Sequence, residues 1–360
     1  MSTELKKLKK FWKGKKVFIT GHKGFKGSWL VIFLDLLGAK VYGYSINNSS
    51  GSYLYRIANL KKLITGSVNG DIRNYKKLKK TIIKFDPDIL IHFAAQPLVK
   101  KSYVDPKNTY DINVMGTVNV LNILKEIKKI RASLIVTTDK VYNNNNSIKY
   151  FKENDELGGN DPYSNSKACA DSITNLYNFS FLKKKKILVG TARAGNVIGG
   201  GDNAANRIIP DYLRSLKSNK TLLLRYPKSI RPWQHVIEPL YGYLLLLEKL
   251  FKKKFLFENN AWNFGPKKNN NKSVIEVINI LNNFFNNKVK VLIKKNRKQL
   301  YESKVLMLDS NKAKNFLSWR GILSLEETIK LIYLWTKQVS HKFNPLDVCR
   351  KQILDYLKRI

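Results

Sequence analysis

Cysteine is almost missing from this chain of 360 residues, which holds two, Cys169 and Cys349. They lie far apart without a CxxC or CxxH companion, which argues against a disulfide framework or a thiolate zinc site. Long apolar runs are missing as well. The best candidates, 30–37 and 241–247, fall well short of the ~20 residues a bilayer span requires. The opening MSTELKKLKKFWKGKK is basic, but only VFIT separates it from a glycine loop, too little for a signal-peptide core. A reducing, cytoplasmic setting is therefore the expectation. Glycine (20) and proline (10) are too few for a collagen-like or low-complexity chain, and 43% hydrophobic residues suit a globular one. Acidic residues are scarce, with 26 Asp and Glu against 66 Lys and Arg, a formal net charge of +40.

That charge invites a nucleic-acid reading, and its distribution argues against one. Lysines fall in scattered pairs and runs (Lys6-Lys7, Lys9-Lys10, Lys15-Lys16, Lys76-Lys77, Lys183 to Lys186), often beside asparagine runs such as Asn143 to Asn146. A nucleic-acid groove needs one stripe with interleaved aromatics. The expectation is a compositional bias on solvated faces with no specific nucleic-acid partner; a basic, non-catalytic binding protein stays as the alternative from another class.

Apolar β-branched runs alternate with helical spacings along the first half: strands at 16–20, 40–44, 63–68, 88–94, 133–138 and 187–192, helices at 26–37, 75–85, 106–129 and 162–179. This implies a doubly wound parallel α/β sheet covered on both faces. After about Asn196 the pattern loosens, with helices expected at 208–216, 239–251, 274–285 and 325–339 and a packing helix in the tail. We expect a nucleotide-binding domain over 1–195 and a smaller α/β substrate lobe over 196–360, the boundary approximate and the chain crossing between lobes.

Gly21, Gly24 and Gly27 form GxxGxxG directly after the first strand, where glycines let a pyrophosphate approach N–H groups at the positive end of a helix. The acid that would hold an adenosine ribose after the second strand is missing from Tyr44 to Asn48. Asp71 is the next candidate, toward the adenine amino group, or else a helix-terminal carboxylate. Tyr163 and Lys167 stand four apart behind Asp161 as N-cap and Pro162 as first helical residue, so they share a face. A lysine beside a phenol lowers its pKa and makes it a base for a hydroxyl proton. Thr138, Asp139 and Lys140 follow a strand's carboxyl end, where open α/β sheets bind ligands. Thr138 can share a substrate hydroxyl with Tyr163. Asp139 could protonate a departing hydroxyl, and Lys140, if desolvated among other cations, could remove a proton beside a ketone. A plain surface Asp-Lys pair is the other reading.

With HFAAQPLV (92–99), NVMGT (113–117), LGGNDPY (157–163), RAGNVIGGGD (193–202), RPWQHV (231–236) and AWNFGP (261–266), these motifs resemble the extended short-chain dehydrogenase/reductase superfamily and, within it, the 4,6-dehydratases acting on CDP-glucose. The resemblance covers about 17–266; beyond it only a generic lobe is legible. It implies a Rossmann-type sheet and NAD held along Gly21, Gly24, Phe25, Gly27, Asp71, Ile72, Ala94, Ala95 and Gln96, with Tyr163 and Lys167. It implies a redox-neutral dehydration giving CDP-4-keto-6-deoxyglucose, with Tyr163 as base, Asp139 as acid and Lys140 as C5 base, many relatives carrying glutamate at that last position. Asn113, Asn196, Arg207 and Arg231 would face the substrate, Arg231 as main diphosphate clamp. A homo-oligomer, dimer or dimer of dimers, is implied through the 106–129 and 162–179 helices, and cell-surface deoxysugar synthesis as the setting. An NAD-dependent sugar-nucleotide 4-epimerase would use the same threonine, tyrosine and lysine; Asp139-Lys140 discriminates, because an epimerase expels no water. A simple ketone reductase stands third. His22, His92 and His235 lack ligand spacing, so no metal is expected.

Overall fold

The computed structural model describes residues 2–47, 52–146, 148–253, 259–286, 289–293 and 300–360; Asn48 lies outside them. Seven strands form one parallel sheet: β1 (Lys16–Thr20), β2 (Lys40–Ser45), β3 (Gly66–Asn69), β4 (Ile89–His92), β5 (Ala132–Val136), β6 (Leu188–Ala194) and β7 (Ala261–Phe264), in the order β7-β6-β5-β4-β1-β2-β3. The chain reverses direction across the sheet between β1 and β4, the crevice where doubly wound sheets take their ligands. β4, β5 and β6 are buried along their whole length, the reason they read as unbroken apolar runs rather than as alternation. β7 comes from well beyond residue 195 and pairs with β6 in register Ala261↔Thr191 to Phe264↔Ala194.

The longer helices are α1 (Thr3–Trp12), α2 (Phe25–Leu36), α3 (Tyr75–Phe85), α4 (Gly116–Glu126), α5 (Pro162–Tyr177), α6 (Ile208–Ser218), α7 (Ile237–Phe251), α8 (Val274–Phe285), α9 (Leu325–Ser340) and α10 (Pro345–Leu357). In α2 every residue from Gly27 to Leu34 is buried; at ~1.5–3 kcal/mol per large apolar side chain this anchors the glycine loop. The lysine-rich N-terminus is an amphipathic helix, α1, burying Leu5, Leu8, Phe11 and Trp12. α10 packs with it and with α2 in one core. A separate core joins α6, α8 and α9 with the parallel strand pair 222–224 and 291–293.

The single helix expected over 106–129 is broken. Pro106–Tyr110 is followed by a π-helical turn, Asp111–Met115, before α4 begins at Gly116. Two contacts fix the break: the Asn113 side chain turns into the loop after β4, and Ile72 lies against Gly116, where a Cβ would come 2.6 Å from its Cγ2. The expected strand at 63–68 starts at Gly66, because Leu60–Leu63 is a 3-10 turn.

Candidate active site

Four segments converge at the carboxyl ends of β1, β4, β5 and β6. Gly21 sits at φ +73°, and a Cβ there would meet the Ala94 main-chain N at 2.7 Å. A Cβ on Gly27 would collide with the carbonyl of Gly21. Gly24 is the extended N-cap of α2, with no side-chain cap and no acid in the first turn. The first-turn N–H groups of a 12-residue helix therefore face the crevice without a side-chain acceptor, the donor set a diphosphate takes. Phe25 packs at the edge of the main core, beside Gly199. This cradle fits a dinucleotide.

Asp71 does not stand free. Arg73 grips its carboxylate through Nη2 at 2.6 Å and Nε at 3.0 Å, and this bond, with burial opposing, holds the carboxyl below its usual range. Any contact with an adenine is made by an ion pair. The Ile72 side chain is buried in the core and its carbonyl accepts from Asn119. Ala94 donates its N–H toward Thr20 Oγ1 at 3.3 Å, and Ala95 follows it half-buried on the crevice rim. Gln96 folds onto its own loop, bonding Leu98 and Thr109.

Asn113 corrects an expectation. Its Oδ1 accepts from Gln96 N–H at 2.8 Å, and its two amide hydrogens go to the Gln96 carbonyl and Ser166 Oγ. With both donors spent and the side chain buried, it braces the crevice wall against α5 instead of facing substrate.

Asp161 caps α5 as expected, accepting from Ser164 N–H at 2.9 Å. Tyr163 and Lys167 project from that helix into the crevice, but not as a pair. Lys167 Nζ donates to the Val136 carbonyl at 2.7 Å, and burial, with Asp171 opposing, brings it down to about 8. Burial pushes the Tyr163 phenol up to about 12; hydrogen bonding with the Thr138 hydroxyl and the charge of Arg207 work the other way, and Asp139 and Asp161 add to the rise. The chain's own cation acting on the phenol is thus Arg207, because Lys167 is bent onto a carbonyl.

Thr138 donates its hydroxyl hydrogen to Asp139 Oδ1 at 3.0 Å. Asp139 is buried, and its Oδ2 has no hydrogen-bond partner among the described residues. Burial lifts its carboxyl above the ordinary carboxylate range, against Lys140, Thr138, Arg231 and Lys26. Gly195 has to lack a side chain here, since a Cβ would overlap Asp139 Oδ2. A buried carboxyl with one idle oxygen and a preference for its proton is a poor structural element and a good acid.

The condition set for Lys140, a desolvated amine among other cations, is met only in part, because the structure also puts an anion beside it. Its Nζ bonds Glu302 Oε1 at 2.8 Å. Arg231, buried on the short strand Ile230–Pro232, bonds the same carboxylate as well as the carbonyls of Ile230 (2.7 Å) and Ser303 (2.5 Å). The expected diphosphate clamp therefore already carries an anion. Arg207, at the N-cap of α6, pairs with Asp202 at 3.1 Å. Asn196 gives its carbonyl to Gln234 N–H, and its side chain makes no hydrogen bond among the described residues. Sequence reasoning missed Glu302 and Lys26. Lys26 lies within the glycine motif, and burial, with Arg207 and Lys167 adding and Asp139 opposing, takes it down to about 7.

Comparison with known proteins decides the family. A model described as GDP-mannose 4,6 dehydratase matches residues 18–332. The chain belongs to that family. Within its relatives, the CDP-glucose 4,6-dehydratase of Salmonella typhimurium is 40% identical over 354 residues, 97% of this chain and 98% of that protein. Among solved structures, dTDP-glucose 4,6-dehydratase from Bacillus anthracis in complex with NAD superposes with a TM-score of 0.76 over 92% of this chain and all of that one, at 24% identity. The epimerase Mth375 of Methanothermobacter thermautotrophicus gives 0.80 over 94% and 97%, at 22%. The fold is that of the extended short-chain dehydrogenases/reductases, shared by dehydratases and epimerases alike.

Proposed function

We propose that this dehydratase-family chain converts CDP-glucose to CDP-4-keto-6-deoxyglucose and water. The observation that carries the reading is Asp139: a buried carboxyl that favours its proton, its Oδ2 without a hydrogen-bond partner among the described residues, beside the Thr138 and Tyr163 hydroxyls. Removing a hydroxyl as water needs an acid, and epimerisation at C4 does not. The 40% identical relative supports CDP-glucose as the substrate.

The α2 cradle at Gly21, Gly24 and Gly27 would hold NAD, which would supply the hydride acceptor for C4 and the hydride donor for C6. Tyr163, sharing the 4-hydroxyl with Thr138, takes its proton as C4 is oxidised, and the charge of Arg207 favours the tyrosinate. Lys167, on the same helix face, would hold the nicotinamide ribose. The new ketone acidifies the C5 hydrogen, which Lys140 removes while Asp139 protonates the 6-hydroxyl as it leaves. Arg207, Arg231 and Asn196 meet the diphosphate. No described helix is long and apolar enough to cross a membrane, and we assign the reaction to the cytoplasm, carried out by a homo-oligomer.

Incubation with catalytic NAD and CDP-, dTDP- and UDP-glucose in parallel, followed by mass spectrometry, tests this. Loss of one water from CDP-glucose alone is expected. An isomerised sugar without water loss would move the assignment to an epimerase.

A further inference from the structure

Between Glu276 and Asp309 the chain has a single acidic residue, Glu302. Its segment is strapped down on both sides. Ile230 donates its N–H to the Lys304 carbonyl at 2.9 Å, and Leu306 returns one to the Ile230 carbonyl at 3.2 Å. Lys304 N–H reaches Asn146 Oδ1 at 3.0 Å, and Asn144 Nδ2 reaches the Val305 carbonyl at 2.7 Å. Main-chain and amide bonds thus deliver the carboxylate to the crevice wall, where it meets Lys140 and Arg231 together. Burial opposes its ionisation, but Lys140 and Arg231 hold it down to about 2, so it is an anion at any working pH. Tyr103 and Tyr226 also face Glu302; Asp139 faces Lys140 from the same turn, with Arg231 and Lys26 opposite.

The geometry points to Glu302 as the positioning residue of the water-elimination step: it aims the Lys140 amine and stabilises the ammonium formed when that amine takes the C5 proton. The inference rests on the reading of Lys140 as C5 base. In that step the C5–H pair becomes the C5=C6 bond conjugated with the C4 ketone, the proton passes to Lys140 Nζ, and the C6–O bond breaks with the hydroxyl leaving as water on Asp139's proton. Glu302 takes no proton. It plays toward the amine the part a buried carboxylate plays toward the imidazole of a hydrolytic triad, orienting the base and compensating the charge that appears on it. Arg231 in turn fixes the carboxylate, linking the diphosphate side of the crevice to the base.

The test uses the full chain with NAD and CDP-glucose, reading the dehydration rate against pH by mass spectrometry. In Glu302→Gln, kcat should fall about tenfold or more and the base limb of the profile should move to lower pH by about one pH unit or more, because the ammonium loses its counter-charge. Glu302→Asp, which keeps the charge, should restore the limb at a reduced rate, and it carries the test if the glutamine variant does not fold. In a Lys140→Met background, Glu302→Gln should cost less than about twofold further, the non-additivity of groups acting as one. A folded Glu302→Gln protein with an unmoved profile, or additive losses in the double variant, would overturn the proposal. A Lys140→Met protein that still dehydrates at the original rate would instead remove Lys140 as the base, and the role of Glu302 with it.

Discussion

Two buried carboxylates lie on either side of the β5 carboxyl end, and they are treated in opposite ways. Asp171 on α5 is saturated: Arg193 reaches it through Nη2 at 2.7 Å and Nε at 2.8 Å, and Thr137 and Thr191 add hydroxyl bonds at 2.9 and 3.2 Å. Arg193 spends its Nη1 donors on the Tyr142 hydroxyl and the Glu153 carbonyl, and Asp171 keeps its guanidinium protonated against the pull of burial. Asp139, at the end of the same strand, has a single neighbouring hydroxyl and one bare oxygen. A carboxylate with every lone pair engaged resists proton chemistry and locks helix to sheet; one left half-satisfied holds nothing together and is free to exchange a proton. The saturated cluster keeps Thr137, and so Thr138, in place for the unsaturated one to work.

Breaking the saturated side should have the largest effect. Asp171→Ala leaves a buried guanidinium unpaired, and we expect a loss of about 3–5 kcal/mol in urea unfolding, with activity falling alongside; stability within 1 kcal/mol of the parent, roughly the scatter of surface changes, would mean the cluster does not lock the sheet. On the reactive side, Tyr163→Phe should lower water loss by about 10²–10⁴-fold while leaving the unfolding midpoint in place, because among the described residues the phenol's hydrogen-bond partner is Thr138 alone. Equal losses of stability and turnover would refute that separation. Asp139→Asn sharpens the contrast further. The folded carboxyl sits above its unfolded value, so the native state loses stability as pH rises through that raised value. The variant should therefore be more stable than the parent at pH 7, by about 1 kcal/mol or more, indistinguishable at acid pH, and inactive. A less stable variant at neutral pH would show that the bare oxygen has a partner.

The smallest effect concerns Glu238 on α7, an acid between these extremes. Its Oε1 accepts from Ile322 N–H (2.6 Å) and Leu323 N–H (2.9 Å) and its Oε2 is bare; burial, with those bonds opposing, lifts it to about 7. Stability should decline as pH climbs from the usual glutamate range through 7. Glu238→Gln should flatten that slope in melts run at pH 5 and 8.

Local motifs were legible where main-chain geometry does the work. GxxGxxG after a strand marked the cradle, because a positive φ at Gly21 and the contacts at Gly27 are properties of adjacent residues. Asp161-Pro162 marked the start of α5 and put Tyr163 and Lys167 on one face. The strand 261–264 escaped periodicity, being four residues long and buried on both faces. The break at 111–115 escaped because its cause, the reach of Asn113 to Gln96 and Ser166, spans the fold. Lys167 shared a face with Tyr163 as the spacing required, but nothing in the spacing said its ammonium would turn to Val136.

The sequence alone determined the alternation of strand and helix, the glycine turn after β1 and the identity of the groups after β5, because hydrophobic period, glycine and capping act over a few residues. Only tertiary structure decided the charge relations. Which carboxylate is saturated, which is bare and which lysine receives a counter-ion depends on burial and on partners up to 162 residues apart, as in the bond from Lys140 to Glu302. Electrostatic energy depends on distance and solvent exposure, and a one-dimensional order of residues contains neither.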